Sequence, residues 1–309
     1  MHDHDHSHGS TGHSPGEASP GRGRFALAAL LNLAFVGAEA WYGFASNSLA
    51  LIADAGHNLG DVVGLLLAWG AASLAGAAPS AQRTYGLRRT SIFAALANAI
   101  LLLVVVGAIA WEALGRLLAP EPLAPRTVIA VAALGVLVNG GTALLFASGR
   151  RADLNVRGAF LHMLGDAAVS LAVVISAAAI LATGWLWLDP AASLAVCAVI
   201  IWGAWRLLRE STNLALDAVP SHIDAQAVER YLASLPGVSG VHDLHIWAMS
   251  TTDVALTAHI VMPEPPPDDC FLGELCQALG ERFGIGHVTV QLERGDPFVF
   301  CKQSPETAL

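Results

Sequence analysis

The chain has 309 residues, of which 54% are hydrophobic and 13% charged, with a formal net charge of −9; a soluble domain carries about 25% charged residues. This balance points to lipid and excludes a basic nucleic-acid-binding surface. Lys302 is the one lysine and follows no glycine loop, which excludes a GxxxxGK[ST] phosphate loop, and the DKTGT sequence of phosphorylated pumps is absent as well, so any transport by this chain has to run on an ion gradient.

Residues 1–24 are polar and rich in Gly, Ser, Pro and His, the composition of a disordered tail. Within it, His2, His4, His6, His8 and His13 alternate with Asp and small residues, a pattern suited to loose metal capture. Arg22 and Arg24 precede an apolar run as long as a membrane span, which does not fit the short core of a cleavable signal peptide. Apolar segments follow at 25–45, 49–76, 90–118, 127–148, 158–182 and 189–209. Each supplies the ~20 residues that cross a bilayer, so a six-helix membrane domain over 25–209 is expected. The short Ser46-Asn47-Ser48 connection makes the first two helices antiparallel neighbours.

Arginine sets the orientation. Arg22, Arg24, Arg83, Arg88, Arg89, Arg150, Arg151, Arg157, Arg206 and Arg209 fall on one side, and only Arg116 and Arg126 on the other. The excess of positive charge on the cytoplasmic side places both termini in the cytoplasm. From Glu210 onward there are 14 acidic and 4 basic residues, so 210–309 reads as an acidic, water-soluble domain. Its expected elements are a helix over Asp224–Leu235, strands over Val241–Met249 and Asp253–Met262, a helix over 268–283 and a strand over His287–Glu293, an αββαβ order. Cys197, Cys270, Cys276 and Cys301 show no paired spacing and read as thiols in a reducing compartment.

One spacing occurs twice. His57 and Asp61 lie in the second apolar segment, His162 and Asp166 in the fifth, both as H-x-x-x-D. Residues i and i+4 share a helical face. If the two helices touch, two imidazoles and two carboxylates converge, a donor set suited to tetrahedral zinc. An aspartate at mid-membrane costs about 2.5–3.5 kcal/mol, and neither lysine nor nearby arginine offsets it here, so a bound cation is the expected partner. At about 1.5 Å per residue, both pairs fall near the midplane, where transporter sites lie. Asp54 shares the face of His57. Asn32, Glu39, Asn98 and Asn139 are expected to hydrogen-bond between helices.

These residues also carry a family resemblance. The runs SNSLALIADAGHNLGD at 46–61, TYGLRR at 84–89, DLNVRGAFLHMLGD at 153–166 and VHDLHIWAM at 241–249 resemble those of the zinc-type cation diffusion facilitators. The resemblance runs from about residue 25 to 300. It implies six membrane helices, a cytosolic ferredoxin-like αββαβ domain, a homodimer, and exchange of zinc for protons, in a bacterial inner (plasma) membrane. By the same resemblance His57, Asp61, His162 and Asp166 form the transport site, and His242, His259 and Glu293 match cytosolic metal ligands; His287, beside Gly286 where many relatives carry a histidine, is taken as a further candidate for that cytosolic zinc site. His245, three residues from His242 on a strand, is expected to face the opposite way. Ser91 stands where many relatives have Glu, and the loop at 77–83 has no His or Asp. No HExxH zinc-protease motif is present, so a transporter is expected in preference to an enzyme.

Overall fold

The structure, a computed structural model, describes residues 20–147, 154–266 and 270–295. The N-terminal histidines, Cys301 and Lys302 lie outside the described residues. Six long helices come first: α1 (Pro20–Ser46), α2 (Leu49–Ala75), α3 (Thr90–Leu118), α4 (Pro125–Ala147), α5 (Leu154–Thr183) and α6 (Leu188–Ala215). A smaller set follows: α7 (Ala225–Ala233), β1 (Gly240–Ala248), β2 (Val254–Val261), α8 (Cys270–Phe283) and β3 (His287–Glu293). Among the described residues, five helices are long and apolar enough to cross a membrane: α2, α3 and α6, with α4 over Pro125–Leu144 and α5 over Phe160–Thr183. They expose large apolar side chains such as Trp69, Trp111, Leu137, Leu144 and Trp202, a surface that water does not favour.

Two compact units divide the chain. The first comprises residues up to Asn58 together with Ala119–Ala192, and so contains α1, the start of α2, α4 and α5. Its core is Ala50 and Leu51 of α2, Val128 and Ala132 of α4, and Val173 and Ala177 of α5. Asn47 ends α1 with φ 57°, a left-handed conformation that Asn tolerates. Its amide donates to Glu121 Oε2 at 2.9 Å and to the Pro122 carbonyl at 3.1 Å. Ser48 then caps α2, its Oγ accepting from the Leu51 amide at 3.3 Å. Buried Asp189, in the first turn of α6, completes that end: it accepts from Ser48 Oγ and, at 2.8 Å, from the Leu49 amide. At Gly135 of α4 a Cβ would stand 2.7 Å from Phe35 of α1 and 2.9 Å from Ser170 Oγ of α5, so any larger residue there would force those side chains to move, and glycine lets the three helices approach.

The second unit holds Leu59–Leu118 and the chain from Ser193. α6 runs past the expected boundary at 209 to Ala215, because Glu210-Ser-Thr-Asn continues the helix beyond its apolar part. It ends with Asp217 at φ 59° and the Ala218 amide donating to the Asn213 carbonyl at 3.0 Å, a Schellman closure. Asp217 also pairs with Arg89. Asp224 caps α7, accepting from the Ala227 amide at 3.1 Å.

The αββαβ order is present as expected. The sheet runs β1-β2-β3, with β1 antiparallel and β2 parallel to their neighbours β2 and β3. Val228, Leu232, Ile246, Leu256, Ile260, Leu275, Leu279 and Ile285 form its core. The start of α3 meets this domain: Ser91 Oγ accepts from the Thr251 amide at 3.1 Å, and Arg88 pairs with Asp253 at 3.4 Å.

Candidate metal centres

In the first unit, α2 and α5 bring His57, His162 and Asp166 together. Asp166 is 3% exposed. Its Oδ1 lies 3.4 Å from His57 Nε2 and its Oδ2 3.7 Å from His162 Nε2. The two imidazoles stand edge to face, with centroids 6.3 Å apart. One buried carboxylate thus faces two imidazole nitrogens, an arrangement that satisfies the anion only if a proton or a cation sits among them. Asp61 follows His57 by one turn of the same helix, α2.

A polar layer adjoins this group. Ser170 Oγ of α5 donates to Asp54 Oδ2 at 2.8 Å, and Asn58 Nδ2 of α2 donates to Glu39 Oε2 of α1 at 3.0 Å. Glu39 and Asp54 are fully buried. Glu39 therefore makes the interhelical bond expected of it. The buried Asn98 Oδ1 and Asn139 Nδ2 make none.

The second cluster lies on the sheet. His242 of β1, His259 of β2 and Glu293 of β3 each offer a ligand atom, all within 4.8 Å of one another. His242 Nε2 is 3.0 Å from Glu293 Oε2, and His259 Nδ1 is 2.9 Å from Glu293 Oε1. His242 and His259 are direct cross-strand partners, which is why their rings meet, with centroids 5.0 Å apart. Two nitrogens and a carboxylate fit a zinc-type ion.

His287 is not brought to this cluster. It opens β3 while Glu293 closes it, a separation of about 20 Å at ~3.3 Å per residue, and its ring packs on Tyr85 with centroids 5.5 Å apart. His245 departs from expectation in the other direction. Between His242 and His245 the pairing slips: His242 faces His259 and His245 faces Thr257. Three steps on β1 match two on β2, a β-bulge, so His245 returns to the face that carries His242. None of Cys197, Cys270 and Cys276 forms a disulfide.

A family model described as the cation efflux transmembrane domain matches residues 25–214, and one described as the cation efflux protein, cytoplasmic domain, matches residues 220–295. The chain belongs to the cation efflux family. It is 37% identical over 283 residues to the metal cation efflux system protein CzcD of Cupriavidus metallidurans, covering 91% of this chain and 90% of that one. It is 36% identical over 292 residues to the zinc transporter ZitB of Escherichia coli, covering 94% and 92%. It is 32% identical over 277 residues to the cadmium, cobalt and zinc/H(+)-K(+) antiporter of Bacillus velezensis, covering 87% and 88%. The solved metal-bound C-terminal domain of CzcD is 40% identical, covering 23% of this chain and 99% of that one, with a TM-score of 0.21.

Membership of the cation efflux family, with five apolar helices, makes this an integral membrane protein of a transporter family. Two residues of this cation efflux protein escape a reading of the sequence. Asp189 looks like an ordinary first-turn acid of α6, yet it caps α2. Asp243 sits in the bulge at φ 52°, and only the HDLH run around it hints at more than surface charge.

Proposed function

We propose that the protein exports Zn2+ from the cytoplasm in exchange for protons, by alternating access, with His57, Asp61, His162 and Asp166 as the transport site. The observation that carries this reading is Asp166, a buried carboxylate between His57 and His162 on apolar helices. The recurrence of the H-x-x-x-D spacing on α2 adds Asp61 as the fourth donor. Two imidazoles and two carboxylates suit a borderline ion that accepts tetrahedral coordination. Relatives named as zinc transporters, and one named as an antiporter, support the choice of ion and of coupling.

The coupling follows from donor chemistry. Imidazoles must be neutral and carboxylates ionised to hold a metal, so loading from the cytoplasm releases protons. Protons from the far side then displace zinc and recharge the same atoms, and their return inward restores the empty site. No ATP is consumed. The proposal includes six spans with α1 as the first, both termini in the cytoplasm, a bacterial inner-membrane location and a homodimer. It also takes the C-terminal αββαβ domain as ferredoxin-like, with His242, His259 and Glu293 as a zinc site there.

Reconstituted vesicles with a lumenal zinc indicator and a lumenal pH dye test the reading. Zinc added outside, with the lumen acidic, is expected to enter as the lumen turns alkaline. Concentrative uptake that survives collapse of the proton gradient by an ionophore refutes the exchange; absence of zinc flux refutes the transporter.

A further inference from the structure

His259 turns both of its ring nitrogens toward carboxylates. Nδ1 lies 2.9 Å from Glu293 Oε1, among the proposed zinc donors, while Nε2 points the other way, 3.6 Å from Asp243 Oδ2. A neutral imidazole that lends Nδ1 to a cation carries its proton on Nε2, and whatever accepts that proton sets the tautomer. Asp243 Oδ2, 3.6 Å from Nε2, is placed to accept it. The other oxygen of Asp243 is held by His245 Nε2 at 3.0 Å, so the carboxylate is fixed on both sides.

The backbone explains how Asp243 reaches this place. It lies within the bulge of β1, at φ 52°, a conformation that L-residues other than Asn and Asp seldom adopt. The extra residue also returns His245 to the His242 face, where it meets Asp243. Non-glycine residues in the left-handed region gather where surrounding contacts over-determine them, and here those contacts are two imidazoles.

We infer that Asp243 is the positioning residue of the C-terminal metal cluster: it accepts the Nε2–H of His259 and thereby presents Nδ1 to the ion held with His242 and Glu293. His245 steadies Asp243 from the solvent side. The inference rests on the reading of His242, His259 and Glu293 as a zinc site.

Two substitutions separate positioning from a backbone role. Asp243→Gly removes the carboxylate and relieves the positive φ. Asp243→Asn tolerates the same φ and keeps an amide oxygen that can accept from Nε2. Zinc binding to the purified full-length protein is measured by competition with a chromophoric chelator, and the part that Glu293→Ala abolishes is assigned to the cluster. Asp243→Gly is expected to weaken that part about 10–100-fold with unfolding no earlier than wild type, and Asp243→Asn to recover some of the loss. Wild-type affinity in Asp243→Gly, or Asp243→Asn no better than Gly, overturns the positioning role while leaving the zinc site standing. If Glu293→Ala removes no binding at all, the zinc site itself fails and the inference with it.

Discussion

At the scale of single residues, the transport reading depends on Asp166. It is the buried acceptor facing both His57 and His162. Loss of one hydrogen-bonding partner behind a metal ligand costs 10–100-fold, so loss of a ligand itself is expected to cost at least about 100-fold. Asp166→Ala and Asp61→Ala should each reduce zinc flux by that factor in vesicles while eluting from size exclusion as wild type; near-normal flux in either removes that residue from the site. His57→Asp tests selectivity. It trades an imidazole for a carboxylate, adds a negative charge, and admits higher-coordinate binding of harder or larger ions. Competition of cadmium and manganese against zinc flux at one pH should shift toward the competitors in this variant. An unchanged ratio in an active, folded protein places selectivity elsewhere.

At the scale of elements, the close approach of α1, α4 and α5 around Gly135 supports the polar layer, because Ser170, which a Cβ at Gly135 would strike, also donates to Asp54. Gly135→Val is expected to lower the thermal stability of the detergent-solubilised protein, by about 1–3 kcal/mol for such overpacking, and to slow zinc flux. A variant as stable as wild type would show that α4 shifts freely. Much of this architecture is legible in the chain, for a physical reason: apolar runs of bilayer length are the strongest pattern a sequence carries, and α2 and α3 lie within a residue of where that pattern puts them, while strand alternation places β3. The repeated H-x-x-x-D is legible because helical periodicity turns spacing into a shared face. The polar end of α6 is not, since Glu210–Ala215 carries no apolar signal and is held helical by continuation and by the turn at Asp217. Nor is the bulge at Asp243, where one extra residue reverses the facing of His245 without any change in composition. His287 and Glu293 share a strand face, and alternation alone does not reveal that they occupy its opposite ends.

At the scale of the whole molecule, capture and translocation are separable. In the proposed scheme the N-terminal His-Asp run concentrates metal without belonging to the path, so deletion of residues 2–13 should weaken zinc uptake at low concentration and leave the maximal rate unchanged. A transporter that is inactive at saturating zinc after this deletion would make the tail part of the core machinery.

The cap that Asp189 places on α2 has a consequence for the order of events during synthesis. The Leu49 amide and the carboxylate that satisfies it are 140 residues apart in the chain. At 5–20 residues per second, roughly 7–28 s pass after Leu49 is made before its partner exists. During that interval the Leu49 amide must stay hydrated or borrow another acceptor. The Leu49 end of the helix bearing His57 and Asp61 therefore matures only once the start of α6 has arrived, and a nascent chain halted before Asp189 leaves the ribosome has all four proposed ligands but not the carboxylate that caps α2.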